Sequence, residues 1–535
     1  MKSKYIDKSI VLKDVSFEIR NGVFVFKNLS ISFGQEKTGL VGKNGVGKTT
    51  LLNLITNKLK PISGKIINKS VIGYLPQDYQ FNLNKSIAET LGIAEKLKTI
   101  DKINKGSTDK ELIKVVGQDW DIKNRAVEKL SKFNLGNVNF DTLLKDLSGG
   151  ERMKVVLAGL LIWNADFLIM DEPTNNLDSS SRQAVYNLVK DWKDGLLIVS
   201  HDRELLNLMD RIIHLDEKGL KIYGGNYDFY LEQKKLETEA LQRQLSDAKK
   251  EFKKTKKQAQ EVKERQQKRL SHGKKRKDKL GLPKIITNEM KKSAQQTSGK
   301  LKIIHETRID DALQNLVKAK EQISPENLIR VDLGDTEVPR GKLVVEIKNV
   351  SFTYLNSSRT IFENLNLTIY GPSRIAIDGP NGSGKTTLIK LVLGQLKPSV
   401  GSVYLGLENF VYLDQGVDLL NKSKTLLENL IDFSDLDEVS ARNWLSRFLF
   451  YGADAFKKID VLSGGERIKA ALACVLAGKN PPQLLILDEP TNNLDLDSIE
   501  QIESALSNFK GTLIVVSHDK RFIQNIGVER SIEFS

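Results

Sequence analysis

Two stretches of this chain are built to hold a polyphosphate. Gly42-Lys43-Asn44-Gly45-Val46-Gly47-Lys48-Thr49 and Gly379-Pro380-Asn381-Gly382-Ser383-Gly384-Lys385-Thr386 share the pattern G-x-x-x-x-G-K-T, each between a strand-like apolar run and a helix-like one. The glycines let consecutive backbone N–H groups curl around phosphate oxygens, the lysine neutralises β- and γ-phosphate charge, and the threonine hydroxyl can ligate Mg2+. The cradle residues are Gly42, Asn44, Gly45, Gly47, Lys48, Thr49 and Thr50 in one copy, and Gly379, Asn381, Gly382, Gly384, Lys385, Thr386 and Thr387 in the other. Binding and cleavage of ATP is the chemistry they imply.

The segments after each loop repeat in the same order. Gln77 and Gln415 come first, then Leu147-Ser148-Gly149-Gly150-Glu151-Arg152 and Leu462-Ser463-Gly464-Gly465-Glu466-Arg467. Apolar strand-like runs then end in Asp171-Glu172-Pro173-Thr174-Asn175-Asn176-Leu177-Asp178 and Asp488-Glu489-Pro490-Thr491-Asn492-Asn493-Leu494-Asp495, and Ser200-His201-Asp202 and Ser517-His518-Asp519 close the sets. The loop lysines lie 337 positions apart and the two closing histidines 317, so each copy is a domain-sized unit. The combination, and the L-S-G-G-E signature above all, resembles the ATP-binding cassette ATPases.

The rest of the composition is that of a large globular protein. At 535 residues there is length for two to four domains. No run of eighteen apolar residues is present, so no bilayer span is predicted. The charged start Met1-Lys2-Ser3-Lys4-Tyr5-Ile6-Asp7-Lys8 lacks the apolar core of a signal peptide, and a cytoplasmic location is expected. Cys474, the one cysteine, sits in a helix-like apolar run where buried packing is its expected role. His214, His272 and His305 fall outside the repeated pattern.

The net charge of +14 is concentrated in one place. Residues 241–300 hold 20 Lys and Arg against 6 Asp and Glu, while the remainder of the chain balances at 62 of each. Within that stretch Leu241, Leu245, Ala248, Phe252, Thr255, Ala259 and Val262 alternate spacings of four and three, a heptad seam. A weaker seam runs Ile309, Ala312, Leu316, Ala319, Ile323. Two stripes joined through Ser271 to Lys284, with Gly273, Gly281 and Pro283 breaking the helix, predict an antiparallel helical hairpin. A first helix from Leu231 to Leu270 would be about 60 Å long at 1.5 Å per residue. Its basic flanks suit a phosphate backbone, since neutralised phosphates release counterions and give strong, sequence-independent binding. A solvated face or a simple tether is the alternative for such a charge run.

Two cassettes, a charged helical linker and no membrane segment resemble the ABC-F family of ribosome-associated translation factors. Gly225-Asn226-Tyr227-Asp228-Phe229-Tyr230 is similar to that family's lead-in to the linker, and Asn-Asn-Leu-Asp after each Asp-Glu-Pro-Thr is a near variant of its Asn-His-Leu-Asp. The resemblance implies an α/β fold of two tandem P-loop ATP-binding cassette domains joined by a long helical-hairpin linker. On that reading residues 1–230 form the first cassette, 231–341 the linker and 342–535 the second cassette. The partner implied is the ribosome, entered at the tRNA exit site, with residues 271–286 as the tip near the P-site tRNA and the peptidyl transferase centre. It also implies a monomer with intramolecular cassette closure, serving either ordinary translation or protection from antibiotics. The first copy spans 71 positions from Gln77 to Ser148 where the second spans 48 from Gln415 to Ser463. The surplus, about residues 96–125, is read as a short arm or a loop insertion. Two other classes stay open: the ATPase subunit of a membrane transporter, and a DNA-associated ATPase, the latter weakened because only 17 residues follow His518 where some relatives carry a basic coiled coil.

The cassette resemblance also implies roles. Two cassettes closing head to tail would bury two nucleotides, one among Lys48, Thr49, Gln77, Asp171, Glu172 and His201 with Ser463 and Gly465 from across the interface. The other would sit among Lys385, Thr386, Gln415, Asp488, Glu489 and His518 with Ser148 and Gly150. Asp171 and Asp488 would hold Mg2+, directly or through water, with Thr49, Gln77, Thr386 and Gln415; Glu172 and Glu489 would polarise the attacking water, and His201 and His518 would sense the γ-phosphate. One difference separates the copies. Tyr354 stands where cassettes stack adenine, while the aligned position holds Ile19. Either Phe24 substitutes or the first site binds ATP less tightly.

Overall fold

The computed structural model describes residues 9–19, 22–77, 79, 82–107, 109–280, 303–320, 329, 336–355, 359–414 and 416–534. Each cassette pairs an antiparallel sheet with a mostly parallel one. In the first copy the antiparallel sheet runs Val23–Phe33, Ile10–Ile19, Ser63–Asn68, and in the second Thr360–Gly371, Lys342–Thr353, Val400–Leu405. The repeat extends to irregularities: Asp14 and Asn28 take positive φ at the register shifts of one pair, and Asn349 and Asn364 do so in the other.

The parallel strands position the chemistry. In the first copy the order is Ile72–Leu75, Phe167–Asp171, Gly195–Val199, Lys37–Val41, Arg211–Asp216, with Gly219–Gly224 antiparallel at the edge. The second follows the same plan with Phe410–Leu413, Leu484–Asp488, Thr512–Val516, Arg374–Asp378, Arg530–Glu533, all parallel. Phe167–Asp171 and Leu484–Asp488 are buried at every position, which explains their unbroken apolar runs, because a parallel sheet is covered on both faces. Four neighbouring strands therefore end side by side and deliver the phosphate loop, the Asp-Glu pair, the Ser-His-Asp turn and the Gln segment to one edge.

Apolar packing fixes this frame. Ile10, Phe33, Leu51, Phe167 and Leu197 meet in the first copy, and Val344, Phe362, Leu388, Ile486 and Ile514 in the second. Cys474 is fully buried in the helical side of the second cassette, where burial pushes its thiol pKa up. Ile329 packs into that same core, and Val338 into the neighbouring one, so the second cassette's packing begins before the strand at Lys342.

The surplus of the first copy folds as two additional helices, Ala94–Asn104 and Lys110–Val116, between Ile87–Thr90 and Ile122–Ser131. The second copy passes directly from Leu426–Phe433 to Glu438–Arg447. Asp119 pairs with both Lys96 and Arg125, tying the inserted helices back to the cassette.

By compactness the chain divides into one unit with both cassettes, Met1–Asp228 and Asn327–Ser535, and a second, Phe229–Glu326. A single helix, Tyr227–Leu280, opens the linker and counts 54 residues. Leu241, Leu245, Ala248, Phe252, Thr255, Ala259 and Val262 are its half-buried positions over that span, and most residues between them are exposed. The returning segment is helical over 303–320, with Ala312 buried and Ile309, Leu316 and Ala319 half-buried; Ile323 lies outside the described residues. One expectation is corrected. The helix passes through Gly273 without a break and continues to Leu280, ten residues beyond the expected end. A lone glycine costs a helix about 1 kcal/mol against alanine, and the Lys, Arg and Leu around it are good helix formers. Of the expected tip, residues 271–280 are helical, while Gly281, Pro283 and the rest to 286 lie outside the described residues.

Candidate nucleotide sites

Each phosphate loop leads into a helix, Lys48–Ile55 and Lys385–Val392, capped by a glycine in the left-handed region. Gly47, with φ of 109°, has no room for a side chain: a Cβ there would lie 2.5 Å from Val25 Cγ1. The loop lysines fold back onto carbonyl oxygens of their own loops. Lys48 Nζ donates to Gly42 O at 2.5 Å and Lys43 O at 3.0 Å, and Lys385 Nζ to Gly379 O at 2.5 Å and Pro380 O at 3.2 Å. Burial pulls the Lys48 pKa below its ordinary value despite the nearby Glu172 carboxyl.

Threonine and aspartate meet in both copies. Thr49 Oγ1 donates to Asp171 Oδ2 at 2.9 Å, and Thr386 Oγ1 to Asp488 Oδ2 at 3.2 Å. Tyr412 adds a hydroxyl bond to Asp488 at 3.1 Å. Glu172 and Glu489 are both buried with positive φ, where the strand turns sharply. Burial pushes Glu172 up to about 8, and raises Glu489 also. His201 Nε2 lies 3.1 Å from Glu172 Oε1, yet neither Glu172 oxygen nor either His201 ring nitrogen has an aligned hydrogen bond among the described residues. Burial pushes His201 down to about 3.

His518 is surrounded differently. Its Nδ1 lies 2.8 Å from Asp378 Oδ1 and 3.2 Å from Ser179 Oγ, while Nε2 lies 3.4 Å from both Glu489 Oε1 and Lys385 Nζ. The hydrogen bond with His518 is the largest influence holding the Asp378 carboxyl below its usual range. Sequence reasoning passed over Asp378 and Ser179, although the signal was available: Asp378 precedes one phosphate loop where Val41 precedes the other.

The two cassettes meet at these sites. Asn44 N donates to Asp495 Oδ2 at 3.0 Å and its side-chain amide to Asn493 O at 3.1 Å; Asn381 makes the reciprocal bonds to Asp178 Oδ2 at 3.5 Å and Asn176 O at 3.2 Å. Asn44, Gly45, Gly47, Lys48, Thr49, Thr50, Gln77, Asp171, Glu172 and His201 line a cavity of about 320 Å3 with Asn175, Val199 and, from the second cassette, Asn493. Ser463 and Gly465 do not line it. Ser463 instead caps its own helix, its Oγ accepting from Glu466 N at 3.3 Å while donating to Glu466 Oε2 at 2.8 Å, and Ser148 does the same with Glu151 at 3.3 and 2.7 Å. Gly465 and Gly150 are pressed against the next helix, where an added Cβ would come within 2.5 Å of Ser498 Oγ or Ser181 Oγ.

A buried pair found in one copy only also spans the cassettes: Arg203 Nη1 and Nη2 reach Glu503 Oε1 and Oε2 at 2.6 and 3.3 Å. Nothing local in the sequence marks it. Gln415 lies outside the described residues. Tyr354 donates to or accepts from Thr387 Oγ1 at 3.0 Å, packs edge-on against Phe352 and keeps 40% of its surface exposed; Ile19 is 54% exposed, and Lys27 lies over the Phe24 ring at 4.8 Å.

Residues 26–175 and 362–492 match the ABC transporter family model. Duplicated on this fold, these domains define the class: a tandem ATP-binding cassette ATPase. The ATP-binding protein Uup of Haemophilus influenzae is 32% identical over 92% of this chain and 73% of its own length. ABC transporter F family member 5 of Arabidopsis thaliana is 31% identical over 98% and 72%, and the ribosome protection protein VmlR of Bacillus subtilis 32% identical over 96% and 85%. The chain belongs to the ABC-F family. Its fold is shared with an archaeal ribosome recycling factor, aABCE1, at a TM-score of 0.53 and 21% identity, over 98% of this chain and 87% of that one. Among the described residues no helix is long and apolar enough to cross a membrane.

Proposed function

We propose that the protein is an ATP-dependent ribosome-binding translation factor. ATP closes the cassettes, the closed form binds at the tRNA exit site with the linker near the P-site tRNA and peptidyl transferase centre, and hydrolysis releases it. The observation that carries this reading is the linker's charge. All the surplus cation of the chain lies within residues 241–300, and Lys253, Lys254, Lys256 and Lys257 are exposed beside a half-buried apolar seam. Such a shaft presents charge without spending its apolar face, which suits an RNA backbone. VmlR, similar to this chain over nearly its whole length, is by name a ribosome protection protein, and protection from an antibiotic is one form this activity could take.

At each site the residues divide the work. Lys48 and Lys385 exchange loop carbonyls for phosphate oxygens, and the loop N–H groups hold the rest of the polyphosphate. Glu172 and Glu489 orient the attacking water; a carboxyl whose proton affinity is raised by burial is matched to taking a proton near neutral pH. His201 and His518 stand beside those carboxyls, at 3.1 and 3.4 Å, and sense the γ-phosphate. The adjacent hydroxyl and carboxylate of Thr49 with Asp171, and of Thr386 with Asp488, are hard oxygen donors that fit Mg2+. Mg2+ bound there, with Gln77 and Gln415 directly or through water, would neutralise charge on the β- and γ-phosphates. The signature residues Ser148, Gly150, Ser463 and Gly465 would close on the nucleotide of the opposite cassette, their helix N-termini favouring its negative charge.

The test is a trapped enzyme. Glu172→Gln with Glu489→Gln keeps side-chain size and ATP binding but removes both carboxylates. The double variant should co-sediment with ribosomes in ATP and inhibit translation; a protein that stays in the supernatant with and without ATP overturns the reading. Changing Lys253, Lys254, Lys256 and Lys257 to Gln should reduce the salt dependence of that binding by about 0.7 to 0.9 log units per lost phosphate contact.

A further inference from the structure

The strands Lys37–Val41 and Arg374–Asp378 occupy equivalent places, and each ends on the residue that enters its phosphate loop. Val41 brings no polar atom. Asp378 accepts from Gly379 N at 2.7 Å and lies 2.8 Å from His518 Nδ1. Ser179, the first residue of the helix Ser179–Asp191 in the other cassette, sits 3.4 Å from both Asp378 oxygens and 3.2 Å from the same ring nitrogen. The residue equivalent to Ser179 in the second copy is Leu496, so the first site lacks both polar members of this cluster.

We propose that Asp378 is a positioning residue of the second nucleotide site, fixing His518 with Nδ1–H toward the carboxylate and Nε2 toward Glu489 and Lys385, and that Ser179 makes this orientation depend on docking of the first cassette. The inference rests on the reading that His518 and Glu489 serve hydrolysis. A carboxylate on one ring nitrogen sets the tautomer and the angle at which the other nitrogen is presented. Ser179 can donate its own proton to Asp378 only while the cassettes are docked, which ties the orientation to closure. Among the described residues His201 has no such anchor. The second site is thereby the one whose histidine is held ready by the partner cassette.

The test uses the full chain carrying Glu172→Gln, so that single-turnover ATP cleavage reports the second site. Asp378→Val, which installs the first-site residue, should lower the cleavage rate about tenfold to a hundredfold, as misplacement of a reacting group does, with ATP affinity changed by less than about threefold. Asp378→Asn, which keeps shape and one acceptor oxygen, should fall between. Ser179→Leu should slow cleavage less, and adding it to Asp378→Val should cost nothing further, because one network is broken once. In the 15N spectrum of labelled histidine, the His518 signal should move from the Nδ1–H form when Asp378 becomes Val. A weaker ATP affinity with an unchanged rate would overturn the proposal, and so would fully additive losses. If Asp378→Val fails to fold, Asp378→Asn with the same rate and histidine spectrum as the parent overturns it. Should His518→Ala leave cleavage intact in the same background, the reading of the site falls and the positioning role with it; if His518→Ala abolishes cleavage while Asp378→Val does not, only the positioning role falls.

Discussion

The two nucleotide sites use the same motif residues in different surroundings. Around His201 the Glu172 carboxyl stands at 3.1 Å without an aligned hydrogen bond among the described residues, and burial presses both the histidine and Glu172 toward their neutral forms. His518 has a carboxylate, a hydroxyl and an ammonium within 3.4 Å. The compensation for that bareness lies two residues further along. Arg203, after His201, reaches across into the buried Glu503, while its counterpart Lys520 is exposed. Beyond the Asn44 and Asn381 bonds that both sites share, the first site is joined to the opposite cassette through a buried ion pair beside its histidine, the second through the histidine itself. Duplicate motifs therefore do not make duplicate sites: the residues between the motifs decide how each one feels closure.

The largest effect should come from breaking the ion pair. Arg203→Ala leaves Glu503 buried without its cation, with Asn525 its one remaining side-chain donor among the described residues, at 3.1 Å, and should destabilise the docked cassettes by about 3 to 5 kcal/mol in thermal or denaturant unfolding. Replacing both partners, Arg203→Met with Glu503→Leu, should restore most of that stability. Lys520→Ala should change it little, and an equal loss there would erase the contrast between the sites.

The next prediction concerns pH. Glu172, raised from 4.5 to about 8, contributes stability that is fully present below pH 4.5 and is lost as pH rises through 8. His201, lowered from 6.5 to about 3, contributes stability that is present above pH 6.5 and is lost as pH falls toward 3. The two slopes cancel between 4.5 and 6.5, so the first site's contribution to the nucleotide-free closed form should be level there and decline on either side. Glu172→Gln should remove the alkaline decline, seen as a flatter melting temperature from pH 6.5 to 8. A variant that keeps the full wild-type slope would show that Glu172 is not neutral in the closed form.

Smaller effects should come from the adenine end. Tyr354→Ala should weaken nucleotide binding at the second site by about 0.5 to 1.5 kcal/mol, several-fold to about tenfold. Ile19→Ala should alter the first site least of all. Equal losses, measured by nucleotide titration, would mean that the first copy also uses this position for stacking.

Much of the frame was legible because it is written locally. A buried parallel strand must be apolar throughout, so Phe167 to Met170 and Leu484 to Leu487 announce themselves, and the heptad seam from Leu241 to Val262 reads directly as the half-buried stripe of a helix. The helix end did not, because Gly273 is only a weak breaker among strong helix formers. The contacts that distinguish the sites were not legible either. Arg203 and Glu503 lie 300 positions apart, and Ser179 and His518 lie 339 apart, so no spacing rule connects them. Asp378 was visible as a difference from Val41, but its meaning depends on where the His518 ring points.

The glycines of the two signatures set a limit on how freely either half of this protein can change. At Gly465 the space between helices is smaller than one methyl group, with Ser498 Oγ in the way. Ser498 is held by Asp495, whose other carboxylate oxygen accepts from Asn44 in the opposite phosphate loop. One added methyl would have to displace the Ser498 side chain, one hydrogen bond away from the carboxylate that holds the opposite phosphate loop, so the tightest spot in one half borders directly on the other.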